Sequence, residues 1–203
     1  LVAKGVRKKN SKWAGILQCF QPLELSFSGR SELKTLTGAA LLSNGVTLTG
    51  MKLYCGFYLN ELLNCFLHKE DAHPEVFEDY RQCLIQLATA SSVESVLRIF
   101  ELTLLEKLGY GLQLENDSVT ERPIDPDKHY EYVREIGPVQ TTGKGFSGKS
   151  LIALRKKILN DELVRKEAKQ LMRQLIDFHL QGRELKSRVL MSQFIRQQSV
   201  VTR

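Results

Sequence analysis

Paired cysteines are absent from this sequence. Cys19, Cys55, Cys65 and Cys83 stand singly among apolar residues with no C-x-x-C spacing, and His68, His73, His129 and His179 are as widely dispersed. A disulfide framework or a zinc site needs closer grouping, so the cysteines read as reduced core thiols, and no metal or other cofactor is expected. No run approaches the roughly 18 apolar residues of a membrane span, and no signal-peptide pattern opens the chain, so no membrane partner is expected and the cytoplasm is the expected compartment. No nucleophile, carboxylate pair or metal cluster stands out either, which argues against an enzyme.

What the chain does have is basic charge, unevenly placed. Over 203 residues, 29 Lys and Arg exceed 23 Asp and Glu, for a net charge of +6. By segment the balance is +5 over residues 1–34, −7 over 35–148 and +8 over 149–203. Two basic ends flank an acidic middle, which points a polyanion at the ends. The densest stretch is Lys4–Trp13, where Lys4, Arg7, Lys8, Lys9 and Lys12 occur with no acid between them. Apolar runs on either side make this a basic loop between two strands. Cations at that density neutralise phosphates and make binding depend on salt, and Trp13 offers a face on which a base can stack. The plainer alternative is a solvated loop with Trp13 tucked into the core below. Arg30 and Lys34 complete the cations of this region.

Organisation follows from hydrophobic period. Up to about Gly50 the signals are β: Leu17–Phe20, the alternating Leu23–Phe27, Leu33–Leu36 and Ala39–Leu42, with turns at Ser28-Gly29-Arg30 and Ser43-Asn44-Gly45. Short strands at this spacing predict a small barrel. The chain opens on Leu1 inside a strand-like run, so further strands are expected upstream. From residue 51 the period becomes helical, over Met51–His68, Pro74–Ala90 and a third helix from Ser91-Ser92-Val93-Glu94 to Gly109, whose apolar residues cover nearly every face. Arg98 lies one turn from Glu94 and Glu101, a spacing that suits a structural ion pair. Residues 112–148 are rich in turn formers and read as loose, with a short strand at Tyr130–Arg134. Helices resume with Leu151, Leu154 and Ile158, then Leu163–Phe178 ending at Gly182, then Ser187–Gln197 and a frayed tail after Gln198. The predicted class is α+β: residues 1–50 a partial β-barrel, residues 51–203 mainly helical.

The string Gly143-Lys144-Gly145-Phe146-Ser147-Gly148-Lys149-Ser150 has the spacing of a phosphate-binding loop. No hydrophobic strand precedes it, and the motif is carried by its strand–loop–helix context, so a nucleotide hydrolase is the weaker alternative. A third alternative is a structural adaptor whose basic ends bind acidic protein tails.

Several motifs in order resemble one family. They are Val2-Ala3-Lys4-Gly5-Val6-Arg7-Lys8, Leu17-Gln18-x-Phe20-x-Pro22-Leu23, Tyr58-x-Asn60-Glu61-Leu62-Leu63, Phe100-Glu101-Leu102-x-Leu104-Leu105-x-x-Leu108-Gly109-Tyr110-Gly111 and Leu185-Lys186-Ser187-Arg188. Together they span the chain and resemble the bacterial RecO recombination mediators. The resemblance implies an N-terminal OB-fold, incomplete here, followed by a helical domain. It also implies binding of single- and double-stranded DNA, strand annealing, and partnership with RecR and single-stranded-DNA-binding protein in loading RecA in the bacterial cytoplasm, at the nucleoid. Relatives often carry a four-cysteine zinc site after the Leu-Gly-Tyr motif. Asn116–Pro123 has no cysteine, so the chain resembles a metal-free branch. The DNA-contacting residues expected are Lys4, Arg7, Lys8, Lys9, Lys12, Trp13, Arg30 and Lys34. The resemblance further implies a short acidic partner tail ending in an apolar residue with a free carboxylate. Such a tail needs an apolar pocket with a cation at its rim. Arg98, Arg122 and Arg134 are the candidate cations, against the plainer reading that all three serve internal or solvated pairs.

Overall fold

The computed structural model describes residues 1–69 and 71–201. The chain divides into two compact units, Leu1–Thr49 and Gly50 onward. In the first, β1 (Leu23–Ser28) and β2 (Thr35–Leu41) form an antiparallel two-stranded sheet, with Leu23 opposite Leu41, Leu25 opposite Ala39 and a bulge between Ser26 and Phe27. The two short runs expected at 33–36 and 39–42 are thus one strand. The stretch 17–20 is not a strand but bends and turns, and no closed barrel is present among the described residues. The alternation in β1 is real, yet Leu25 and Phe27 stay 39% and 55% exposed. A two-stranded sheet has too little surface to cover its own apolar face.

The second unit is a helical body carrying a small sheet. In order, it holds α1 (Gly50–Phe66), α2 (Pro74–Thr89), α3 (Val93–Lys107), β3 (His129–Val133), β4 (Gly137–Thr141), β5 (Phe146–Ser147), α4 (Gly148–Arg155), α5 (Glu162–His179) and α6 (Lys186–Val201). The expected fraying after Gln198 is replaced by helix as far as Val201; Thr202 and Arg203 lie outside the described residues. Helix α3 packs against α1, α2 and α5, as its apolar circumference requires. Its ends are well defined. Ser92 is the N-cap, accepting from Ser95 N–H at 3.5 Å, while Gly109 takes φ +83° and lets Tyr110 N–H reach back to Leu105 O at 2.8 Å.

The stretch read as loose over 112–148 keeps its turns up to 128 but then holds an antiparallel sheet ordered β4-β3-β5, in which β3 is the short strand expected at 130–134. Its turn-forming residues are spent on hydrogen bonds: the Asp117 carboxylate accepts from Val119 N–H (3.0 Å), Thr120 N–H (2.7 Å) and Gln140 N–H (2.7 Å), tying a turn to β4. Tyr130 and Phe146 fill the sheet's inner side and join a core with Leu102, Leu105, Leu151, Leu154, Leu171 and Met172. In α5 the buried stripe is Val164, Ala168, Leu171, Met172, Leu175 and Ile176. Leu163 and Phe178, expected in the core, are 52% and 36% exposed, as is Ile158 at 54% just beyond α4.

Two of the sequence motifs meet through one carboxylate. Glu61 on α1 accepts from Lys186 N–H (2.9 Å), Ser187 N–H (2.8 Å) and Ser187 Oγ (2.6 Å), capping the first turn of α6 from 125 residues away. Burial alone raises the Glu61 pKa, but the bonds from Ser187 and Lys186 outweigh it and hold the carboxyl below its ordinary value. A depressed carboxylate contributes stability that is present above its unfolded pKa and lost as pH falls through its folded one. Glu61→Ala should therefore cost about 2 kcal/mol at neutral pH, from the lost cap and charge-assisted bonds. Denaturant titrations of both proteins should show that gap closing in acid, below the ordinary carboxylate range.

Candidate nucleic-acid interface and anion pocket

Turns carry the basic arm. Lys8 N–H donates to Gly5 O at 3.1 Å, Ser11 N–H to Lys8 O at 3.0 Å and Ala14 N–H to Ser11 O at 3.2 Å. The start of the arm is sewn to β2, with Val2 N–H on Lys34 O at 2.8 Å and Leu36 N–H on Val2 O at 2.9 Å. The strand–loop–strand expectation is thus corrected: Val2 makes a single bridge to Thr35, Ile16 and Leu17 lie in a turn and a bend, and the cations of the arm sit on successive turns. Lys4, Arg7, Lys8, Lys9, Lys12 and Arg30 are exposed, and half-buried Lys34 places its ammonium 3.3 Å from Gly29 O. Among the described residues none of these seven makes an ion pair. Trp13 is 8% exposed, with Lys12 Nζ 4.3 Å from its ring centroid. The indole lies under the arm as a support, with little free face.

Arg98 lies in a cavity of about 370 Å³ on the helical unit. Met51, Cys55, Val93, Leu97, Met191 and Ile195 give it apolar walls, and Lys169, Arg173 and Arg188 bring further cations from α5 and α6. Arg98 is 8% exposed and pairs with Glu101, which is 1% exposed and also accepts from Tyr58 Oη at 2.6 Å. Glu94, the other carboxylate within a turn, pairs with Lys169 instead. Burial opposes the charge on Arg98, and Glu101 with Tyr58 more than restores it. The same burial, reinforced by Glu101, pushes the Tyr58 phenol up, and burial lifts the Cys55 thiol to about 11. Tyr58 and Cys55 are therefore neutral walls. The buried Arg98 Nε and Glu101 Oε2 have no hydrogen-bond partner. A fixed cation with an unused buried donor, next to apolar walls, is suited to receive a carboxylate attached to an apolar group.

Comparison with known proteins places this architecture. Residues 48–189 match the family model described as Recombination protein O C terminal. The chain belongs to the RecO family. Its relatives include the DNA repair protein RecO of Methylococcus capsulatus, 44% identical over 192 residues, which cover 94% of this chain and 79% of the relative. The Aromatoleum aromaticum protein of the same name is 42% identical over 193 residues, 93% of this chain and 80% of the relative. That of Escherichia coli O139:H28 is 41% identical over 206 residues, 100% of this chain and 85% of the relative.

In this RecO-family chain the other two candidate arginines stand apart from the cavity, whose lining includes neither. Arg122 is exposed on the Asp117 turn, its carbonyl taking Asp117 N–H at 2.8 Å, and Arg134 lies 4.9 Å above the Phe178 ring. Lys169, Arg173 and Arg188 were not legible from spacing; only the basic excess of the last third hinted at them. The phosphate-loop string is already occupied from within. Ser147 N–H and Oγ both donate to Glu167 (2.8 Å each), Gly148 N–H to Lys128 O (2.8 Å) and Lys149 N–H to Pro126 O (3.3 Å), while Ser150 N–H goes to Ser147 Oγ (3.2 Å). A carboxylate sits where a phosphate would have to bind. Gly148 is there because a Cβ would fall 1.9 Å from Asp125 O. Among the described residues no three His, Cys, Asp or Glu side chains are grouped to hold a metal ion, and no described helix is long and apolar enough to cross a membrane.

Proposed function

We propose that this chain is a DNA repair and recombination mediator that binds single- and double-stranded DNA, anneals complementary strands and helps load recombinase, without enzymatic activity of its own. The observation that carries the DNA reading is the arm: exposed cations on a fastened run of turns, with no carboxylate of the described residues pairing them. Lys4, Arg7, Lys8, Lys9, Lys12, Arg30 and Lys34 contact phosphates, and Trp13 holds the turns beneath them. Annealing requires a protein to screen the repulsion between two backbones while leaving base edges free, which backbone contacts do and base-specific contacts hinder. The first unit is read as the later part of an OB-fold, a framework whose strand face and loops suit this task.

The same reading gives the Arg98 cavity to the acidic tail of single-stranded-DNA-binding protein, with the terminal apolar side chain among Met51, Leu97 and Ile195 and the carboxylate on Arg98, in a cell compartment shared with RecR and DNA. Names of the relatives support repair; the cavity's chemistry supports an anionic peptide. Fluorescence polarisation with random-sequence oligonucleotides at low and high salt tests the DNA reading. Single strands and duplexes should both bind, independently of sequence, with affinity falling steeply as salt rises. Binding that ignores salt, or that tracks sequence, would overturn it.

A further inference from the structure

A second cleft, of about 310 Å³, adjoins the Arg98 cavity and shares Arg173, Arg188 and Ser192 with it as a common wall. The residue between those arginines is Asp177. Its Oδ1 pairs with Arg188 Nη1, and its Oδ2 lies 3.7 Å from Arg173 Nε. Arg188 also sits 5.7 Å from the Tyr58 ring centroid, at the edge of the first cavity. One carboxylate of the chain's own therefore holds two cations that face both spaces. Arg183, which lines the second cleft together with Glu184, makes no ion pair among the described residues.

Resting on the peptide reading of the Arg98 cavity, we infer that the second cleft is a subsite for acidic side chains preceding the peptide's terminal residue, and that Asp177 is a resident competitor that sets its affinity. A peptide whose end is in the first cavity must leave across the shared wall or away from it. The shared wall offers Arg173 and Arg188, and an incoming aspartate can replace Asp177 on them without leaving a cation unpaired. Asp177 is 48% accessible and Arg173 69%, so their pair is solvated, weak and reversible, while Arg188, at 22%, holds Asp177 from a half-buried position still open to solvent on the Asp177 side. Asp177 in this role is a tuning residue rather than a contact of the terminal group.

The test uses the whole chain and a dye-labelled peptide of aspartates ending in Leu-Phe with a free carboxylate, against the same peptide with asparagines. Asp177→Asn should tighten the aspartate peptide by about fivefold, the worth of one exposed and one half-buried pair released to the peptide, and leave the asparagine peptide unchanged. The gain should fade at high salt. Arg183→Ala, which disturbs no pair between α5 and α6, should weaken the aspartate peptide alone. Thermal melts establish that both variants are folded. If wild type binds the aspartate peptide and neither substitution changes it, the subsite is overturned while the cavity reading stands. If wild type binds neither peptide, the cavity reading fails and this inference falls with it.

Discussion

Alanine at Arg7, Lys8 and Lys9 together lowers affinity for every DNA sequence alike and reduces the steepness with which log K falls against log salt concentration by about 2.7 for duplexes. The figure is about 0.9 for each phosphate neutralised, taken over the three cations removed, and single strands should show a somewhat smaller change. At low salt the loss should exceed about a hundredfold, since the electrostatic part dominates non-specific binding. The physical reason is that these cations have no carboxylate among the described residues to hold them, so their free energy is available to a polyanion. The backbone turns that carry the arm are made by main-chain bonds, and so survive the substitutions. Trp13→Ala provides the contrast. Its ring is buried, so its removal should lower the melting temperature of the protein and weaken DNA only through the loosened arm. Measuring affinity at several salt concentrations separates the two: unchanged affinity and slope in a folded triple variant would mean the arm is merely solvated.

The second large effect is expected at Arg98. Arg98→Ala strands Glu101 as a buried charge and removes the cation offered to a peptide carboxylate, so it should lose peptide capture and about 3–5 kcal/mol of stability. The two consequences can be pulled apart. Arg98→Met with Glu101→Gln removes both charges, keeps an acceptor for Tyr58 Oη and fills the space, so stability should return to near the wild-type value. Peptide binding should not return, because a thioether cannot pair with a carboxylate. Chemical denaturation and a peptide titration on the same three proteins give the answer. A double variant that captures the peptide normally would remove Arg98 from the site.

How far these sites could be read from the chain depends on the range of the interactions that make them. Most of the third helix was legible: its stop at Gly109 and the pairing of Arg98 with Glu101 lie within a few residues, although the cap is Ser92 bonded to Ser95 rather than the Ser91-to-Glu94 box that the spacing suggests. The partner of Glu94 was not, since a lysine from α5, 75 residues on, takes that carboxylate. Residues 112–148 misled for a related reason. Asp, Pro and Gly there do mark turns, but the turns are bound to one another through Asp117 and its reach to β4, a tie with no local signature. Arg122 and Arg134 were plausible by position and chemistry, yet the cavity's cations come instead from Lys169, Arg173 and Arg188, whose neighbours in sequence say nothing of it.

By itself the sequence determined the α+β class, the helices and most of their buried faces, the concentration of positive charge at Lys4–Lys12, and the resemblance to the RecO family. Those properties follow from composition and from periods of two and 3.6 residues, which act over one or two turns. Only the tertiary structure decided that Trp13 is buried with Lys12 over its ring, that Glu61 caps a helix 125 residues away, that Glu167 fills the would-be phosphate loop, and that Asp177 stands between two arginines at the seam of two cavities. The Glu61 and Glu167 contacts are meetings of groups distant in sequence. Charge and hydrogen-bonding capacity are properties of a residue, but which partner satisfies them is settled by packing.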